Sequence, residues 1–312
     1  MLSRHASGIF WLARYVERAD FTAKLALASM NASPPGSEFS KDFSMAALRS
    51  IGEYRSFCKL RDSGMELGAL EYLASRSSNP SSIVSAAQQV ETNLEPIRSE
   101  IPSELFLAAK EFARAAKALE VRSSGNELDG AALIVIHRRS AEAHGAAAGR
   151  LLRNGAYEFW QTGRMIERMG NIARSVDLGI GFAKSLRTQD TSACDAFLAS
   201  YFSNFSALRG VFRRCGGKFG DAAILEFFLL DPDSPSSLAF AILEIERCLG
   251  ALCKARADAS DCLRMASHSA AELRNENAAS IAEHGISVFA RETIDFGARL
   301  SNQVEIDFEF NS

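Results

Sequence analysis

Proline is missing from residues 103–231 of this 312-residue chain, and the seven prolines present fall at 34–35, 80–102 and 232–235. A proline inside a helix removes a hydrogen bond and clashes with the preceding turn, so the long gap leaves helices uninterrupted. Alternating β-branched runs are scarce as well, which argues against a sheet. No apolar run approaches the roughly 18 residues that a membrane-spanning helix needs, so no membrane association is expected. Neither charge sign dominates: 35 Lys and Arg face 38 Asp and Glu, for a net −3. Phosphate backbones are bound by a basic field, so nucleic acid is not an expected partner. Six cysteines stand at 58, 194, 215, 248, 253 and 262, with no Cys-x-x-Cys and no histidine at metal-ligand spacing. They read as small buried hydrophobes. Glu-x-x-His pairs are missing too, so no metal site is expected. Gly216-Gly217-Lys218 lacks the strand and spacing of a phosphate loop, and no Gly-x-Ser-x-Gly elbow occurs. No cofactor is expected, and whether the chain is an enzyme at all stays open.

What is present is helical. Ala, Leu, Glu, Arg and Ser dominate, and 47% hydrophobic with 23% charged residues is ordinary for a water-exposed globular chain. Leu133-Ile-Val-Ile136 resembles a strand, but its flanks Ala131-Ala132 and His137-Arg-Arg139 fit a buried helix segment better. Met1-Leu2-Ser3-Arg4-His5 leads into an amphipathic helix rather than a uniform apolar leader, so a cytoplasmic location is expected.

The chain also repeats itself. Arg14-Tyr-Val-Glu17-Arg18, followed by Ala23-Lys24, recurs as Arg164-Met-Ile-Glu167-Arg168, followed by Ala173-Arg174. Glu71-Tyr72-Leu73 and Asn79-Pro80-Ser81-Ser82-Ile83 recur as Glu226-Phe227-Phe228 and Ser234-Pro235-Ser236-Ser237-Leu238. Glu91 aligns with Glu246 at the same offset of 155. Two blocks in one order at nearly one offset read as an internal duplication. The expectation is an all-α chain of two fused, pseudo-symmetric helical-bundle halves, residues 1–154 and 155–312, forming one compact unit. A linker is expected near Asn154-Gly155 and a loop over Met30–Ser40. The Pro-Ser-Ser blocks read as helix N-termini, with Asn79 and Ser234 capping and proline in the first helical position. Those N–H groups could alternatively hold a phosphate or carboxylate. The acidic end, Glu305-Ile-Asp-Phe-Glu-Phe310, reads as a helix end or a docking segment.

Projected at 100° per residue, Ile9, Leu12, Tyr15, Val16, Ala19, Ala23 and Leu27 share one face of the first helix. Arg14, Glu17 and Arg18 lie opposite, together with Phe10, Trp11 and Phe21; Trp160 joins the charged arc of the second copy. Large aromatics among the charges point to a face that is packed rather than solvated. Three readings remain open for Arg14, Glu17, Arg18, Arg164, Glu167 and Arg168. They form an ion network, with Arg14 and Arg18 meeting Glu167 and Glu17 meeting Arg164 or Arg168; or they line an anion-binding or catalytic cleft; or they form a solvated face.

Phe10-Trp11-Leu12-Ala13-Arg14-Tyr15-Val16-Glu17-Arg18-Ala19-Asp20, the opening Met1-Leu2-Ser3-Arg4 and the Asn79-Pro80-Ser81-Ser82-Ile83 block resemble the alpha-E family. These are bacterial all-helical proteins with a Glu-Arg motif and no established activity, encoded beside ATP-grasp and transglutaminase-like proteins. The resemblance implies a non-catalytic partner of an ATP-grasp ligase-like and a transglutaminase-like protein in peptide or amide-bond formation. The alternative it leaves is an enzyme using an Arg-Glu-Arg anion-binding cleft on a peptide or acyl intermediate. Two departures from the family pattern stand out. Gly170 takes a place usually acidic, and Val90-Glu91-Thr92-Asn93-Leu94-Glu95 keeps Glu91 and Asn93 but lacks two arginines. Glu91, Asn93 and Glu246 are therefore secondary candidates.

Overall fold

The computed structural model describes residues 2–31, 38–65, 68–122, 128–153, 155–187, 191–205, 210, 220–256 and 260–310. Fourteen α-helices and no strand occur among the described residues. The chain divides into two compact units, Tyr15–Arg150 and Met1–Arg14 with Leu151–Ser312. Helix α1 (Ser3–Asn31) contributes to both.

The first unit holds the rest of α1, then α2 (Glu38–Ser50), α3 (Tyr54–Asp62), α4 (Ala69–Ser75) and α5 (Ile83–Leu94). A 3₁₀ turn (Glu95–Ile97) leads to α6 (Ser103–Arg122) and α7 (Gly130–Arg150). Helices α5, α6 and α7 pack in sequence, burying Leu94, Leu105, Phe112 and Ile136. The strand-like run 133–136 is indeed helical, but only half buried: Leu133 and Ile136 face the core while Ile134 and Val135 face water.

In the second unit, α8 (Ala156–Arg187) is followed by α9 (Thr191–Ser203) and a short α10 (Asp221–Leu225) that runs into a π-helical turn, Glu226–Leu230. Then come α11 (Leu238–Arg256), α12 (Asp261–Arg274), α13 (Ala278–His284) and α14 (Ile286–Asp307). Helix α8 is buried on nearly every side over most of its length, which makes it the central rod of this unit: it packs on α9, α11 and α14 and buries Trp160, Met169 and Val176. The end of α14 is a Schellman turn, in which Phe310 N–H donates to Glu305 O at 3.0 Å and Glu309 N–H to Ile306 O at 3.2 Å. Glu309 takes the left-handed position, φ 56°, that glycine usually fills. The turn drives Phe308 and Phe310 inward onto Phe159 and Phe10. The acidic terminus is thus a helix end whose aromatics are used in its own core.

The two Pro-Ser-Ser blocks fold alike, though not as expected. Helices α5 and α11 each begin three residues after the proline. Ser82 N–H bonds to Asn79 O at 3.0 Å and Ser237 N–H to Ser234 O at 2.9 Å, closing a β-turn with proline second. The caps are the last serines: Ser82 Oγ accepts from Ser85 N–H and Ser237 Oγ from Phe240 N–H, both at 3.0 Å. Asn79 serves the turn instead, accepting from Ser81 N–H at 2.8 Å and donating to Tyr72 O at 3.0 Å. The Glu-aromatic segments lie in the short helices before the turns.

Of the expected loop, Met30 and Asn31 end α1 and residues 38–40 begin α2; residues 32–37 lie outside the described residues. So do Asn154, Cys215 and Gly216-Gly217-Lys218. Gly155, at φ 112°, opens α8 with its N–H on Glu158 Oε2 at 2.9 Å. Cys194, Cys248, Cys253 and Cys262 are buried thiols and Cys58 is half-buried. Burial pushes the Cys248 and Cys262 thiols up to about 12, so neither is a poised nucleophile.

Candidate functional site

Helix α1 contains no proline and one glycine, Gly8, and three of its aromatic residues, Phe10, Trp11 and Phe21, lie within the charged arc. Phe10 and Phe21 are buried, Trp11 half-buried, and Trp160 on α8 is 1% exposed. That arc is therefore packed. Its two glutamates are buried and its four arginines half-buried.

Arg14 shows what burial requires. Its Nε and Nη2 donate to Glu167 Oε2 at 3.1 and 3.0 Å, and its Nη1 donates to Ser301 Oγ on α14. Its guanidinium carbon lies 4.7 Å from the Trp11 ring centroid. All three nitrogens are used, and a ring covers the plane, the geometry for which arginine's flat fork is suited. Burial raises the Glu305 carboxyl and the nearby Arg14 pulls against it. Close helix approach makes the pair possible: a Cβ on Gly163, one residue before Arg164, would lie 2.3 Å from Phe10 O. Arg168 Nη1 reaches Pro235 O at 3.2 Å, in the turn before α11, and Arg164 Nη1 reaches Gln161 Oε1 at 3.4 Å. Arg18 lies over the Tyr15 ring at 5.3 Å.

In the other unit, α1 meets α7 through a ladder that the sequence did not announce. Glu17 Oε2 lies 3.0 Å from His144 Nε2, both nearly fully buried. One turn on, Asp20 Oδ1 accepts from Ser140 Oγ at 2.8 Å and lies 2.7 Å from His137 Nδ1, while Lys24 Nζ is 2.8 Å from Oδ2. Burial would push the Asp20 carboxyl up; Lys24 and the hydrogen bond with His137 outweigh it and hold it at about 2. Residues 17, 20 and 24 on α1 face 137, 140 and 144 on α7, each set spaced by three and four as one helix face demands.

A Cβ on Gly170 would lie 2.9 Å from Arg174 Nη1, so Arg174 lies over the surface that a longer side chain would take. It donates to Asn171 Oδ1 at 3.5 Å. The secondary candidates are surface groups: Glu91 pairs with Lys117, Asn93 Nδ2 bonds to Gln89 O at 2.8 Å, and Glu246 lies 3.6 Å from Arg274.

Against this geometry, the model of one family, Alpha-E, described as a predicted alpha-helical domain with a conserved ER motif, matches residues 1–308. The chain belongs to the Alpha-E family. Both Glu-Arg pairs of this Alpha-E chain, Glu17-Arg18 and Glu167-Arg168, fall inside the matched span. No curated protein and no solved structure matches it. Among the described residues, no helix is long and apolar enough to cross a membrane.

Chemically, both glutamates of the motif are engaged, Glu167 with Arg14 and Glu17 with His144. To act as a general base, Glu167 would have to give up Arg14, and Glu17 its contact with His144. Arg14 would have to release both Glu167 and Ser301 to take an anionic ligand.

Proposed function

We propose that this Alpha-E protein is a non-catalytic helical partner in a cytoplasmic, bacterial system that makes amide bonds on peptides. Its expected partners are an ATP-grasp ligase-like and a transglutaminase-like protein, as the family resemblance implies. The observation carrying the non-catalytic reading is the engagement of all three Arg14 nitrogens by Glu167 and Ser301, beneath the Trp11 ring, in a nearly closed site. A motif spent on internal pairing serves architecture, and function then lies on outer surfaces. We also read the chain as an internal duplication. The two β-turn and Ser-cap segments at 79–85 and 234–240 support that reading, since they repeat one hydrogen-bond pattern at one offset. The test is co-purification of the tagged chain with the ATP-grasp protein of the same source in low-detergent buffer. Stable association supports the proposal, and none under mild conditions would sink it.

A further inference from the structure

Helices α11 to α14 leave an open groove of about 710 Å³ on the second unit. Its floor is apolar: Leu238, Ile242, Leu273 and Ile281 are buried beneath it, and Phe289 and Phe296 are half-exposed along it. Its rim is acidic. Glu272, Glu276 and Glu292 stand exposed around the opening, against Arg299 as the lining guanidinium. His284 Nε2 bonds to Glu292 Oε2 at 2.8 Å and joins α13 to α14 across one end.

The charge is not local to the rim. Residues 261–307 carry eight carboxylates and four arginines, with no lysine, a net −4 in a chain whose total is −3. The segment 261–307 thus holds the whole acidic excess of the protein, and the remaining residues sum to +1. An apolar trough within a rim of three glutamates and one arginine is net negative, and selects an occupant with the complementary pattern.

We infer that this groove docks a basic amphipathic helical segment of a partner protein, its apolar side chains on Ile242, Ile281, Phe289 and Phe296 and its Lys or Arg side chains over Glu272, Glu276 and Glu292. The inference rests on the reading of this chain as a binding partner, but not on which protein the partner is. The net-negative rim disfavours an acidic segment, and a purely polar cation leaves the floor uncovered.

The test uses the full chain and an 18-residue Leu/Lys peptide patterned as an amphipathic helix, followed by fluorescence anisotropy. A Leu/Glu and a Ser/Lys peptide of the same pattern are the comparisons. The Leu/Lys peptide is expected to bind at least about tenfold more tightly than either. Glu272→Lys/Glu276→Lys/Glu292→Lys, three exposed positions whose substitution spares the core, is expected to weaken it by about tenfold, on the order of 0.5 kcal/mol for each charge. Glu283→Lys/Asp295→Lys changes exposed acids on the same helices that do not line the groove, and is expected to shift binding by less than about threefold. No binding of the Leu/Lys peptide overturns the inference. So does equal loss in both variants, which would mean diffuse charge attraction, or equal binding of the Ser/Lys peptide, which would mean an unused floor. Because the probes are synthetic, this inference can fail while co-purification with the ATP-grasp protein succeeds, and the reverse.

Discussion

Replacing Glu167 with alanine strands the Arg14 guanidinium in a site where it is 12% exposed. Breaking a buried ion pair from one side costs about 3–5 kcal/mol, because the remaining charge loses its partner without regaining water. Here Arg14 loses two charge-assisted hydrogen bonds to one carboxylate oxygen, but keeps Ser301 and the Trp11 ring. The ring contact alone holds about 1–2 kcal/mol of favourable interaction with a desolvated cation, so the expected loss is at the lower end, about 3 kcal/mol. Both tryptophans, Trp11 and Trp160, lie in the unit that contains the pair, so tryptophan fluorescence in urea reports its unfolding directly. The midpoint should fall while the denaturant slope stays constant. Arg14→Met/Glu167→Leu removes both charges and should return to within about 1 kcal/mol of the parent, about 2 kcal/mol better than Glu167→Ala alone. A Glu167→Ala loss below about 0.5 kcal/mol, or a double variant no better than the worse single one, would refute the clamp and return the Glu-Arg face to the list of ligand sites.

Asp20 is held at about 2, below the unfolded value near 3.9, so its stabilisation is full above pH 4 and is lost as pH falls through 2. In acid titrations followed by circular dichroism, the stability gap between parent and Asp20→Asn should therefore shrink by about 2 kcal/mol between pH 4 and pH 2. Gly163→Ala puts a methyl against the Phe10 carbonyl, a backbone atom that cannot swing aside, and should lower stability by about 1–3 kcal/mol in thermal melts. Ser82→Ala and Ser237→Ala each remove a helix cap and should each cost about 1 kcal/mol in chemical denaturation.

Much of the fold was legible because it depends on local physics. Proline-free tracts of helix formers gave long helices, and Phe10, Phe21 and Trp160 in the charged arc disclosed that both sides of α1 and α8 are packed. The pairing of Arg14 with Glu167 across 153 residues followed from the same burial argument. Three things were not legible. Helix starts at the Pro-Ser-Ser blocks were placed too early, because Asn-Pro and Ser-Pro suit a β-turn as well as a first helical turn, and only the serine three residues on decides. His137, Ser140 and His144 gave no signal of their own, since the register of α7 against α1 is a tertiary choice. Their spacing does match that of Glu17, Asp20 and Lys24, which is the clue that was available. The groove escaped notice because its floor comes from four helices whose apolar residues each look like ordinary core.

One helix entering both units has a consequence for how the gene can be cut. A fragment beginning at Leu151 would contain α8 complete yet lack Phe10, Trp11 and Arg14, leaving Phe310 without one aromatic neighbour and Glu167 without its guanidinium. A fragment ending at Arg150 would carry those residues with nothing of their own unit to fold against. A cut at the midpoint thus divides one unit, and the piece it leaves behind is Met1–Arg14, which holds the start of α1. A synthetic peptide of residues 2–31 added to the C-terminal fragment is expected to raise its urea midpoint, and no shift would mean that the fragment holds together without α1.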